Sequence, residues 1–183
     1  MGNQPDSEIH VQHVTGRPER DEAAPYYFTY IDKVTGGDIR VLLESQLHDT
    51  LAFLAGISEE RSLHRYESGK WSIREVLNHV NDAERLFLSR AFWFARGFDG
   101  PLPSFDEKIS VAAACADDVS WALHVDEFKA VRASTLAFFR NLPAEAWMRR
   151  GVASGNPFSV RALAWICAGH LAHHTAVLEE RYS

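Results

Sequence analysis

Two histidines near the C-terminus have the spacing of a metal-binding pair. His170 and His174 stand four residues apart in a strongly apolar segment. Because a helix turns by about 100° per residue, both project from one face, and Leu163, Ile166 and Val177 fall within about 40° of His170. The pair is therefore predicted to lie in the face that meets the core. Buried imidazoles need a hydrogen-bond partner or a metal ion, so the two are either hydrogen-bonded core residues or metal ligands.

A third imidazole is expected from a different helix. His79 follows Val76 by three residues and precedes Leu86 by seven, which places it on the apolar face of its own predicted helix. In helical bundles, metal sites form where facing helices direct polar side chains into the core. Three protein ligands that leave a position for water or substrate are typical of catalytic zinc, and imidazole also suits nickel and iron. Taken alone His79 would be a structural residue, but the combination predicts a metal site of His79, His170 and His174.

Other polar residues near these histidines are candidates for supporting roles. Asp82 and Glu84 follow His79, and a carboxylate at 82 would either orient a ligand imidazole or form a surface ion pair. His173 lies at the edge of the apolar stripe, as a substrate contact or a surface residue. Cys167 is either a soft fourth ligand or a small buried hydrophobe. No general base stands out, so Asp82, Glu84 and His173 are the candidates for catalysis, and no cofactor-binding residue is identified.

The periodicity of apolar residues predicts four long helices that would position these groups. The second has the clearest start, a capping box of Ser72 and Glu75, and Ser159 is a good N-cap for the fourth. A short helix is expected around Val111 to Cys115. The four predicted long helices run from about Asp38 to Ile57, from Ile73 to before Gly97, from near Ser120 to Asn141, and from about Val160 to Tyr182. Without an alternating strand pattern, they indicate an all-α protein built as a four-helix bundle.

The first 34 residues differ in character from the rest. Pro5, Pro18 and Pro25 stand among many charges, so residues 1–34 are interpreted as an N-terminal extended arm and 35–183 as one bundle domain. The aromatic stretch Pro25 to Val34 is expected to pack on the domain surface without forming a helix. Gly151 to Pro157 is expected to be a turn-rich connection.

Composition restricts the partners and the compartment. Nineteen Lys and Arg against 25 Asp and Glu give a formal charge of −6, which argues against a nucleic-acid partner. No apolar run approaches the roughly 20 residues that span a membrane. Two cysteines cannot form a disulfide framework, and no signal peptide is recognisable, so a cytoplasmic protein is expected. The expected partner is a small-molecule substrate.

The chain also resembles the DinB/YfiT-like superfamily of metal-binding four-helix bundles. The resemblance rests on an ordered set of segments, which are Gly69–His79 followed by Asp82, Glu84 and Arg85, then Arg96–Gly97, Pro101–Asp106, Arg161–Ile166 and Ala168–His174. It implies up-down-down-up connectivity, frequent homodimers, and a divalent metal, usually zinc or nickel, held at His79, His170 and His174. Similar sequences often have Glu where this chain has Leu171, which removes a polar neighbour of the site but no ligand.

Members of that family with known activity include thiol S-transferases and thiol-dependent maleylpyruvate isomerases. The resemblance therefore implies a metal-dependent thiol S-transferase or hydrolase acting on a small molecule, with a low-molecular-weight thiol as a possible co-substrate. The alternative is a non-catalytic metal-binding bundle that serves as a ligand- or partner-binding stress protein. The sequence leaves open whether the protein is an enzyme.

Overall fold

Four long helices dominate the computed structural model, which describes residues 14–98 and 100–182. Within these residues, no helix is both long and apolar enough to cross a membrane. A two-stranded antiparallel sheet lies between the last two long helices in the sequence. The elements are α1 (Phe28–Ile31), α2 (Ile39–Ala55), α3 (Ile73–Ala95), α4 (Glu107–Ala114), α5 (Trp121–Arg140), β1 (Arg150–Ala153), β2 (Asn156–Ser159) and α6 (Val160–Arg181).

The long helices are not arranged in the order of the chain. Both α2 and α3 pack mainly against α5 and α6. Helices that follow each other in the sequence, α2 with α3 and α5 with α6, therefore lie diagonally opposite in the bundle. This arrangement places α3 directly beside α6, and these are the two helices that carry the predicted metal ligands. The all-α four-helix bundle predicted from the sequence is confirmed.

Side-chain caps set the starts of both ligand-bearing helices. Ser72 Oγ accepts a hydrogen bond from the Glu75 backbone N–H at 3.1 Å, and the Glu75 carboxylate accepts one from the Ser72 N–H at 2.7 Å. The predicted capping box is therefore formed. Ser159 Oγ accepts from the Ala162 N–H at 2.9 Å, as expected of the N-cap of α6.

The segment before α2 packs into the core, which corrects one expectation. Pro25 to Tyr27 form a 3₁₀ turn that leads into α1, and Phe28 and Ile31 are 3% and 0% exposed. The expectation that residues 25–34 lie on the surface without a helix is therefore wrong. A helix of four residues offers too few positions for a periodic pattern, so only its contacts reveal it. Residues 1–13 of the predicted arm lie outside the described residues, and the boundary at residue 34 stays a prediction.

The close approach of α1 to α6 depends on a glycine. A Cβ atom built on Gly169 would lie 2.2 Å from the carbonyl oxygen of Tyr30 and 3.0 Å from the backbone nitrogen of Ile31. Because these atoms belong to the backbone, no side-chain rotation would relieve the contact. Gly169 therefore allows α1 to lie directly on α6, beside His170.

The connection predicted as turn-rich is a β-hairpin. Strands β1 and β2 pair with Ala153 opposite Asn156, so Ser154 and Gly155 form a two-residue loop. Their φ values of 53° and 72° match a type I′ turn, which requires positive φ at both positions. The Ser-Gly dipeptide was the signal for this hairpin in the sequence. The hairpin also binds the loop after α3, since the Leu102 N–H donates to Val152 O at 2.9 Å.

The short helix expected around Val111 to Cys115 is present but begins earlier. Asp106 caps it by accepting hydrogen bonds from the N–H groups of Lys108 and Ile109. The helix ends at Ala114, because Cys115 adopts the left-handed conformation with a φ of 47°.

Candidate metal centre

The structure brings together the three histidines singled out in the sequence. His79 projects from α3, and His170 and His174 project from adjacent turns of α6. One ligand atom from each ring lies within 4.8 Å of the other two. His79 and His170 are 3% and 5% exposed, and His174 is partly buried. Their roles as ligands stay a prediction, but the convergence that the prediction required is present.

The spacing of the rings fits joint coordination of one ion. His79 Nε2 lies 3.1 Å from His170 Nε2. Two nitrogens bound to a tetrahedral zinc at about 2.0–2.1 Å stand roughly 3.3 Å apart. The same distance is also compatible with a hydrogen bond between the rings. In either arrangement His79 Nδ1 is buried without a hydrogen-bond partner among the described residues.

Burial keeps the three imidazoles neutral. Desolvation lowers the pKa of His79, and it places the pKa of His170 well below its usual range, with the neighbouring His174 adding to the effect. The pKa of His174 falls to about 3, again mainly through burial. A metal ion binds only the neutral form of imidazole. At neutral pH the cluster therefore offers unprotonated nitrogens, with no proton to displace.

Aromatic rings surround the cluster. The Tyr30 ring centroid lies 5.2 Å from that of His170, Trp71 lies 5.0 Å from His79, and Phe87 lies 5.8 Å from His170. Burial raises the pKa of Tyr30, and a hydrogen bond with Tyr26 adds to that shift. Tyr30 was not among the predicted site residues, because its segment was expected to lie on the surface. The aromatic run around it was the available signal.

The candidate carboxylates are engaged elsewhere. Asp82 accepts hydrogen bonds from Asn78 Nδ2 at 3.2 Å and from Ser110 Oγ at 2.9 Å, and none of its recorded bonds orients a histidine ring. Glu84 is 3% exposed and forms an ion pair with Arg132 at 2.7 Å. Neither carboxylate belongs to the cluster of potential ligands in the described residues.

The two remaining candidates flank the cluster without joining it. His173 is partly buried, and its ring centroid lies 4.9 Å from that of His174 and 5.7 Å from that of Tyr30. Cys167 is 2% exposed among apolar neighbours, and burial raises the pKa of its thiol well above the usual value. A buried neutral thiol behaves as a small hydrophobe, which was one of the two interpretations of Cys167.

Two cavities with different lining residues adjoin the histidines. The larger, of about 580 Å³, has His79 and His170 in its wall together with Tyr30, Phe87 and Arg90. The smaller, of about 360 Å³, has His173 and His174 in its wall. Together they make each of the three proposed ligands accessible from a pocket of small-molecule size.

Comparisons with known proteins agree with this arrangement. The family model of the DinB superfamily matches residues 42–178. Among solved structures, the chain is similar to one described as "YfiT from Bacillus subtilis is a probable metal-dependent hydrolase with an unusual four-helix bundle topology". The TM-score is 0.62 at 15% sequence identity, over 91% of this chain and 97% of that one. At that identity the similarity shows a common fold. No curated protein matches the sequence.

Proposed function

Because the chain belongs to the DinB superfamily, we propose that it is a divalent-metal-dependent enzyme acting on a small molecule. The observation that carries the proposal is the meeting of three neutral imidazoles, from His79, His170 and His174, two of which, His79 and His170, lie at the wall of a cavity of about 580 Å³. Such a donor set suits zinc or nickel.

The residues of the chain would hold the ion and shape its surroundings. A divalent cation bound there supplies Lewis acidity, which lowers the pKa of a coordinated water or thiol toward neutrality. His79 and the His170–His174 pair come from two packed helices, so the positions of their nitrogens are fixed by the α3–α6 interface. Tyr30 and Phe87 pack against His170 and line the same cavity.

Hydrolysis is the first candidate reaction. The larger cavity reaches two of the proposed ligands, so a substrate bound in it would lie next to an activated water. The description of the Bacillus subtilis neighbour as a probable metal-dependent hydrolase supports this choice by analogy of fold.

Transfer of a thiol is the second candidate, and the smaller cavity favours it. A transferase must hold two substrates beside one centre, and the pocket at His173 and His174 lies apart from the pocket at His79 and His170. Trp71 and Val177 make part of its wall apolar, and Lys70 and Arg181 add positive charge. This pocket would accept a low-molecular-weight thiol. The proposal also keeps the homodimer implied by the family resemblance.

A paired activity screen tests the proposal. The protein, reconstituted separately with zinc and nickel, is assayed for hydrolysis of small esters and for conjugation of several thiols to monochlorobimane. Turnover above the uncatalysed rate that disappears in the His170→Ala variant is expected. Inactivity of protein that contains its full metal complement, across both reactions, would contradict an enzymatic role and favour the alternative of a non-catalytic metal-binding bundle.

A further inference from the structure

Arg90 is a buried cation without a carboxylate partner. Its side chain, on the third turn of α3 beyond His79, is 3% exposed. One terminal nitrogen donates to the Pro103 carbonyl at 3.1 Å and to Ser154 Oγ at 2.8 Å. Tyr27 makes a further side-chain hydrogen bond with the guanidinium. The Nε of Arg90 has no partner, and among residues 14–98 and 100–182 no carboxylate lies within ion-pair distance. Burial accordingly lowers the pKa of Arg90, although a guanidinium stays charged at neutral pH.

The other buried arginines show that this is an exception in the molecule. Arg132 pairs with Glu84, Arg161 pairs with Glu22, and Arg74 pairs with Glu59. A buried charge that lacks an opposite charge is strongly unfavourable. The neutral hydrogen bonds to Pro103, Ser154 and Tyr27 do not neutralise the charge of Arg90, so the buried charge needs a further explanation.

Arg90 also faces the same cavity as the histidines. It follows His79 by eleven residues, which is three helical turns plus about 20°, so both project from one face of α3. Both line the cavity of about 580 Å³. Tyr27, Ser104 and Ser154, each with a hydroxyl group, line that wall as well. The carboxylates of the same wall, Asp106 and Glu107, are exposed to solvent. The charge of Glu107 acts on His79 and Tyr30, and neither carboxylate contributes to the pKa shift of Arg90.

We propose that Arg90 binds an anionic group of the substrate, a carboxylate or a phosphate, while the reacting group of the same molecule lies at the three histidines. This assignment names the substrate class and rests on the function proposed above. Eleven residues of helix separate the two Cα atoms by roughly 16 Å. The anionic group therefore stands several bonds away from the reacting atom. An anion would supply the missing counter-charge and use the unpaired Nε of the guanidinium.

If Arg90 had a purely structural role, its replacement would affect ligand binding differently. If it only tied the loop at Pro103 to the hairpin at Ser154, a neutral side chain with an N–H donor would replace it without loss of ligand binding. The Arg90→Gln variant is such a replacement. Arg85→Met is the matched control, because it removes a positive charge from the same helix at a position that is 47% exposed and paired with Glu127.

Anion-dependent thermal stability tests the assignment without requiring turnover. Melting temperatures are measured with increasing phosphate, and separately succinate, against chloride at equal ionic strength. The melting temperature is expected to rise with anion concentration, and to saturate, in the wild type and in Arg85→Met. In Arg90→Gln the apparent affinity for the anion should be about 10- to 100-fold weaker. Arg90→Met is the second variant if Arg90→Gln does not fold. An equal rise in the Arg90 variants, or no rise in the wild type with either anion, would overturn the assignment.

Two further measurements separate this inference from the function proposed above. The anion-dependent rise in melting temperature should persist in His170→Ala, because the anion binds Arg90 and not the metal. Loss of that rise in His170→Ala would overturn the inference. The wild type should hydrolyse the p-nitrophenyl monoester of succinate with a kcat/KM about 10- to 100-fold above that for p-nitrophenyl acetate, a preference that Arg90→Gln erases. If neither ester reacts, hydrolysis fails as the proposed function, while the melting temperatures still decide the role of Arg90.

Discussion

Replacing Gly169 by alanine should separate α1 from the metal centre. In the interior of a helix, alanine is favoured over glycine by about 1 kcal/mol, so helix propensity alone predicts that the variant is more stable. The structure predicts the opposite. The new Cβ would lie 2.2 Å from Tyr30 O, where ordinary contact begins at 3.4 Å, so the backbone of α1 must retreat by about 1.2 Å.

The magnitude follows from the cost of overpacking a close backbone contact. Such insertions destabilise by about 1–3 kcal/mol, occasionally more. For a chain of this size that corresponds to a fall in melting temperature of roughly 2 to 12 °C. Since the Tyr30 ring covers His170, the displacement should also make His170 more reactive toward diethyl pyrocarbonate in metal-free protein.

The assay compares Gly169→Ala with Gly37→Ala, whose added Cβ meets nothing within 4 Å. Thermal unfolding is followed by circular dichroism, and modification of His170 is followed by mass spectrometry. The control should melt at or slightly above the wild-type temperature. A Gly169→Ala variant that melts at or above the wild-type temperature, with unchanged His170 reactivity, would refute the reasoning that α1 lies directly on α6.

Two further predictions concern helix capping and pH. Ser72→Ala should destabilise the protein by about 0.5–2 kcal/mol in urea unfolding, because it removes the cap of α3, whereas Ser120→Ala should cost less since Ser120 makes no side-chain capping bond. Metal-free protein should lose stability as the pH falls below about 6.5. The folded state lowers the pKa values of His79, His170 and His174, so below that pH these histidines bind protons in the unfolded chain but stay neutral in the folded protein. Between pH 6.5 and 5, above the range of the carboxylates, the melting temperature of His174→Gln should depend less steeply on pH; a flat wild-type profile there would contradict the prediction.

The sequence predicted the elements that have many residues and a local signal. Each long helix repeats its apolar pattern over several turns, and the Ser72 capping box and Ser159 are signals read within four residues. The i,i+4 spacing of His170 and His174 fixes their common face in any helix. The convergence of this pair with His79 required only that the apolar faces of α3 and α6 pack together, and helices in a bundle bury their apolar faces against each other.

Features set by contacts between distant residues were not predictable in the same way. The burial of α1 depends on the absence of a Cβ at Gly169, more than 130 residues along the chain from Tyr30. The hairpin had a local signal in Ser154-Gly155, but Pro157 and the short strands obscured it. The isolation of Arg90 appears only when the loop at Pro103 and the hairpin at Ser154 are placed beside α3, because no pattern in the sequence shows which charges lack partners.

The central claim is that His79, His170 and His174 bind one divalent cation, and elemental analysis after dialysis tests it most directly. The wild type should retain about one equivalent of metal, and each of the three single alanine variants should retain almost none. His124→Ala is the control, because His124 is also buried but is hydrogen-bonded to the Ala116 carbonyl away from the cluster, and it should keep its metal. A full equivalent in His170→Ala, or none in a wild type reconstituted with zinc or nickel, would contradict the account.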